Sequence, residues 1–207
     1  MKVATPEYDE MVLKGRLSGL DRRAKTAFAA ACAESLVALH ERYWTTTGDS
    51  GKAARAREIL DSAWDVAFAG NSDVSSLESE AVSLGPTDDE EWSFDKGYAQ
   101  NAAAALAYAV RTWLSGDAQE AAWAARQVYE AAEYSGSQPD VQPGELLVRK
   151  VSDVAVQIAV TDTSSGVQSA LDFLDQALRI CEDIPLPRDQ LQVLAQSSGQ
   201  TWAAAFS

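Results

Sequence analysis

Apolar residues along this chain recur at intervals of three and four. Phe28, Cys32, Leu36, Leu39 and Tyr43 form one such series, and Ala56, Ile59, Leu60, Ala63, Trp64 and Ala67 form a second. Tyr98, Ala102, Ala105, Ala109 and Trp113 follow the same rule, as do Ala118, Ala121, Ala122, Ala125, Val128, Tyr129 and Ala132. Three more series come later: Leu147, Val151, Val154 and Ile158; Val167, Leu171, Leu174, Leu178 and Cys181; and Leu191, Leu194, Ser198 and Trp202. Side chains so spaced lie on one face of a helix, and strand-like alternation is not sustained anywhere. The pattern predicts an all-α protein, a compact multi-helix bundle of about eight helices. Two of these are short, near 8–17 and 74–84.

The punctuation between the series agrees. Asp21 is placed to cap a long helix that ends at Gly48, and Ser50 or Gly51 opens the next, which Gly70 and Asn71 close. Thr87 followed by Glu90 has capping-box spacing. Gly116 ends one helix and Asp117 caps another; so short a joint makes the two antiparallel neighbours. Pro185 and Pro187 separate the last two helices. The clearest loop is 136–144, with Pro139 and Pro143. The chain reads as a single helical domain, 1–207, in which this loop separates a larger N-terminal part from a C-terminal part expected to hold three helices. The alanine-rich helices around 102–105 and 121–125 are expected to form the tightly packed centre, because small side chains allow close approach. Tyr98, Tyr108, Trp113, Trp123 and Tyr129 would then fill the edges, the alternative being an aromatic ligand pocket.

Composition narrows the class. The 207 residues are 46% hydrophobic and 23% charged, with six Trp and six Tyr, which suits a folded core and argues against disorder. Cys32 and Cys181 fall on apolar faces and read as reduced, buried thiols. Lys2 is followed by Glu7, Asp9 and Glu10 with no apolar run, so neither a secretory leader nor a membrane span is expected, and the reading is cytoplasmic.

Charge changes the picture most. The stretch 58–95 carries eleven Asp and Glu residues and no Lys or Arg, in a chain of net charge −14. A phosphate backbone or an anionic membrane surface needs the opposite sign, so neither nucleic acid nor membrane is expected as a partner. The basic cluster Lys14, Arg16, Arg22, Arg23 and Lys25 reads as solvated helix ends. Within the acidic stretch, Glu58, Asp61 and Asp65 share one side of a helix, while Asp88, Asp89, Glu90 and Glu91 sit at a helix start, just before Trp92. These eight residues are the candidate partner-binding face.

Chemistry is thinly represented. His40 is the only histidine, which is too few for a histidine metal site or a di-iron bundle. It precedes Glu41 and Arg42 and is expected to face solvent. Glu58, Asp61 and Asp65 could hold Mg²⁺ only with further acids from another helix. The run Gly48-Asp49-Ser50-Gly51-Lys52 lacks the upstream glycine and strand of a phosphate loop and reads as a turn. No catalytic residue, cofactor or metal is assigned.

The motifs Phe28-Ala29-Ala30-Ala31-Cys32-Ala33-Glu34, His40-Glu41-Arg42-Tyr43, Thr47-Gly48-Asp49 and Ile59-Leu60-Asp61-Ser62-Ala63-Trp64-Asp65 resemble the YjaG-like family. These are bacterial all-helical proteins classed as a domain of unknown function. The resemblance continues through Asp88-Asp89, Tyr98-Ala99, Leu106-Ala107-Tyr108-Ala109-Val110 and Ser115-Gly116-Asp117, from about residue 10 to 135. It implies a compact helical bundle in the bacterial cytoplasm and assigns no activity. In size, acidity and helix content alone, the chain is also similar to helical toxin-immunity proteins.

The functional expectation is a non-enzymatic protein-binding protein, an immunity protein that neutralises a basic bacterial toxin through its acidic face. Two alternatives accompany it. One is a metal-dependent enzyme using the helix carboxylates. The other is a self-associating structural or regulatory protein, a homodimer in which Trp202 and Phe206 dock on a second copy.

Overall fold

A computed structural model describes residues 8–70, 72–87, 92–135 and 153–206, with side chains in the last span from residue 165 onward. The described residues form eight helices and no strand: α1 (Glu10–Ser18), α2 (Arg22–Thr47), α3 (Ser50–Phe68), α4 (Leu77–Ser83), α5 (Phe94–Ser115), α6 (Ala118–Ser135), α7 (Asp153–Glu182) and α8 (Arg188–Ala205).

The joints after α2 and α5 fall where expected; Asp21 caps α2 as expected, and α3, which opens at Ser50, takes its cap from Asp49. Asp21 Oδ1 accepts from the Ala24 amide at 2.8 Å, and Asp49 Oδ1 accepts from the Lys52 amide at 3.2 Å. Such caps satisfy amides that have no partner within the helix, at about 1 kcal/mol each. Gly48 and Gly116 end α2 and α5 with φ of 90° and 71°, a left-handed conformation that glycine alone adopts without strain. The two-residue joints that follow fold α3 back on α2 and α6 back on α5, so consecutive helices pack as antiparallel hairpins.

Four expectations are corrected. The central helix is α2, not the α5–α6 pair. It buries 17 of its 26 residues and packs against α3, α5, α6, α7 and α8. Its apolar stripe is real, but Ala27, Ala29, Ala30, Ala31 and Ala33 between the larger residues are buried too. A helix that is small and apolar all round belongs in the interior. Next, the start of α5 is capped by Ser93, whose Oγ accepts from the Lys96 amide at 3.1 Å, and not by Thr87; Glu90 lies outside the described residues. Third, Val154 and Ile158 of one expected C-terminal helix fall in α7 together with the whole 167–181 series, a single helix of 30 residues, while Leu147 and Val151 lie outside the described residues. The run 161–166 between the two apolar series contains Ser, Thr and Gly, which weaken a helix, but no proline to break it.

The fourth correction concerns Trp202 and Phe206, which dock on their own chain. They stack on each other with Tyr98 and Phe173 on either side, at centroid distances of 5.5 to 6.2 Å, and both are buried. Arg42 fixes this end of α8: its Nη1 donates to Ala203 O and its Nη2 to Phe206 O, each at 2.8 Å, while it also pairs with Asp95. Gly199 brings α8 against α2 almost backbone to backbone. A Cβ at that position would lie 2.9 Å from Ser35 O.

Candidate functional site

The expected face begins on α3. Ile59, Leu60, Ala63 and Trp64 of this helix are buried, and the 3.6-residue period therefore turns Glu58, Asp61 and Asp65 outward, where all three are exposed. They do not stand as an unopposed negative field. Arg55, one turn earlier, bonds Glu58 at 2.6 Å and also pairs with Glu80 of α4. Arg188 at the start of α8 reaches Asp65 at 3.3 Å. Arg111 of α5 holds Glu78 at 3.4 Å. A window without a single base in sequence is thus laced with arginines from outside it. Asp61 makes none of these ion pairs. Partial burial is the main influence raising its carboxyl above the usual range, with Glu34 and Asp65 adding to it and Arg57 and Arg188 opposing.

Asp88, Asp89, Glu90 and Glu91 lie outside the described residues. Trp92, immediately after them, is 63% exposed, with its ring set edge-on to Phe94 at 4.9 Å. Among the described residues, no group of three or more His, Cys, Asp and Glu side chains is placed to hold a metal ion. None of the described helices is long and apolar enough to cross a membrane.

His40 was expected in solvent and is buried, at 1% exposure. Its place one turn after Leu36 and one turn before Trp44 puts it on the inner face, and the Glu41-Arg42 pair that follows disguises this. Its Nε2 lies 3.1 Å from Leu84 O at the end of α4, and Trp44 Nε1 donates to the same carbonyl at 2.9 Å. Nδ1 has no partner. Trp44 Nε1 also lies 3.1 Å from His40 Nε2, so the imidazole, the indole and the Leu84 carbonyl form one buried polar cluster. Burial pushes the imidazole pKa down, against the raising effect of the Leu84 bond, and Lys52 lowers it further. Histidine and tryptophan here serve to fasten α4 to α2.

A second buried polar group, unmarked as such by any sequence motif, lies nearby. Glu34 is 4% exposed at the α2–α3 interface. Arg57 Nη1 donates to its Oε1 at 2.7 Å and Trp64 Nε1 to its Oε2 at 3.0 Å, while Arg57 also reaches Glu41 at 2.9 Å. The available signal was a lone acid inside the apolar run 28–39. The cysteines are free and buried as expected; burial raises both thiols well above their usual range, and Cys181 adds to the effect on Cys32. The aromatics proposed as a pocket are engaged elsewhere: Arg111 sits over Tyr108 and Trp123, and Arg22 over Trp113.

The architecture of α2 wrapped by its neighbours has a relative among solved structures. It is similar to a DUF416 family protein from Shewanella baltica OS155. The two share a TM-score of 0.68 over 91% of this chain and 93% of the other, at 13% sequence identity. That identity supports a shared fold and carries no activity across. No protein-family model matches the chain, and no curated protein matches it.

Proposed function

We propose that the protein works by binding another protein, as an immunity-type inhibitor that neutralises a basic bacterial toxin in the cytoplasm. The YjaG-like affinity of the motifs between residues 10 and 135 belongs to the same reading. The observation that carries it is Trp92. A large aromatic left 63% exposed directly after Asp88, Asp89, Glu90 and Glu91 joins an apolar anchor to negative charge. Tryptophan is among the residues that most often dominate binding energy, and surrounding charge speeds the encounter with a partner of opposite sign. The side chains with the greatest chemical potential support the same reading, because they have structural work. His40 and Trp44 hold α4, Glu34 binds Arg57 and Trp64, and both thiols are buried.

The test is affinity capture on the full chain at low and high salt, with basic proteins encoded beside its gene supplied as candidates. The reading expects one basic protein retained at low salt. It expects that protein to be lost from Trp92→Ala and from the reversal Asp88→Lys, Asp89→Lys, Glu90→Lys, Glu91→Lys. Capture that these variants leave unchanged would overturn it.

A further inference from the structure

At the end of α3, beyond Asp65, a groove of about 650 Å³ opens where the α1–α2 joint and the α7–α8 joint meet the helix. Its apolar walls include Leu20, Ala24, Phe68, Cys181, Pro185 and Leu186. The volume lies in the range of about 300 to 1,000 Å³ typical of binding clefts. Ile184 stands on its rim at 97% exposure, the most exposed large apolar side chain among the described residues.

The groove and the acidic side of α3 are one surface. Phe68 falls three residues after Asp65, on the same side of the helix. Arg188 joins them, with Nη2 3.3 Å from Asp65 Oδ1 and its guanidinium carbon 5.4 Å from the centre of the Phe68 ring. From Glu58 to Phe68 this surface runs about 15 Å, close to three helical turns. The groove's own charged residues are Asp21, Arg23, Glu182 and Asp183, and Glu58, Asp61 and Asp65 extend the negative side. Glu182 is already bonded to Arg16 at 2.9 Å, so an anionic ligand would gain Arg23 and meet the carboxylates of Asp21 and Asp183. A cationic partner with an apolar face meets the complementary arrangement.

We propose that this groove and the adjoining α3 ridge receive a basic amphipathic helix of a partner protein. Its apolar side chains enter between Phe68, Leu20 and Leu186, and its lysines or arginines follow Asp65, Asp61 and Glu58. The proposal rests on the protein-binding reading above and locates where on this side of the molecule the partner sits.

The probe is a lysine–leucine amphipathic peptide of roughly 15 residues, long enough to cover the ridge and the groove. It is titrated into the isotope-labelled full chain and followed by amide chemical shifts. Two further peptides separate the contributions: one with every leucine replaced by serine, and one with every lysine replaced by glutamate. The expected result is saturable shifts at Leu20, Phe68 and residues 184–186 with the lysine–leucine peptide, and none there with the other two. Ile184→Ser is expected to weaken that binding about fivefold, through loss of an apolar contact. Asp61→Lys is expected to weaken it about threefold at low salt and hardly at all at high salt. Both side chains are exposed, so neither change disturbs the core. Shifts confined to another surface, equal binding of the glutamate peptide, or no binding at all would each overturn the groove assignment. Those outcomes leave the wider reading to the Trp92 and acid-reversal experiment, which does not involve the groove.

Discussion

Two sides of α3 carry the same residue types under opposite conditions. On the inner side, Arg57 reaches across to Glu34, which is 4% exposed and also accepts from Trp64. On the outer side, Glu58 and Asp65 are bonded to Arg55 and Arg188, with every one of these side chains more than a third exposed. A carboxylate taken out of water depends on its partners; removing one partner leaves a charge or a polar group stranded. A carboxylate in water exchanges its arginine for solvent at little cost. The inner side therefore holds the fold together, and the outer side is free to change partners. That freedom is what a docking surface for a basic protein requires.

The comparison can be broken most forcefully at Glu34. Glu34→Ala leaves Trp64 Nε1 without an acceptor in the interior and removes one of the two carboxylates on Arg57. We expect a loss of about 2–4 kcal/mol in urea unfolding, reduced from the full cost of a broken buried pair because Arg57 keeps Glu41 and is partly exposed. A loss below about 1 kcal/mol, the scale of an exposed pair, would erase the distinction between the two sides. Gly199→Ala tests the neighbouring contact of α2 with α8. The new methyl group would meet Ser35 O, a backbone atom that cannot rotate away, and we expect a loss of about 1–3 kcal/mol. The same change at Gly166 should cost less, since the atom it meets is the Ser135 hydroxyl, which can turn aside.

His40 gives a smaller effect that depends on pH. Its pKa is lower in the folded protein than the ordinary value of 6.5, so below about pH 6.5 the unfolded chain takes up a proton that the folded one refuses. Stability should therefore fall as pH drops from about 6.5 toward 5. Asp61 and Glu120, whose carboxyls are raised chiefly by burial, act in the opposite sense and at lower pH. Thermal melts at intervals between pH 7 and 5 measure the difference, and His40→Gln should flatten it. The smallest effect is expected on the outer side of α3, where Glu58→Gln and Asp65→Asn should each change stability by less than about 1 kcal/mol.

The helices were legible because their signals are local: a 3.6-residue apolar period, a capping Asp21, and glycine at 48 and 116. Signals that depend on distant residues were not. The sequence shows Glu58, Asp65, Glu78 and Glu80 in a stretch without any base, whereas the fold carries Arg55, Arg188 and Arg111 to them. His40 looked solvated beside Glu41 and Arg42 because the Leu84 carbonyl that meets it lies 44 residues away. The role of α2 was hidden for a different reason. Alanine satisfies any helical pattern, so a buried alanine between stripes resembles an exposed one until the neighbours are in place. Glu58, Asp61, Asp65 and Trp92 are exposed, but the charge along α3 is far more balanced than the linear stretch implies.

The central claim is that the outer acids of α3 serve binding and not folding. The most direct measurement is the association rate with the basic partner recovered by affinity capture, for the natural chain and for the triple change Glu58→Lys, Asp61→Lys, Asp65→Lys, at low and at physiological salt. The account predicts an association for the natural chain that slows about tenfold or more as salt rises, and a slow, nearly salt-independent association for the triple variant. Equal rates for the two proteins at low salt would contradict it.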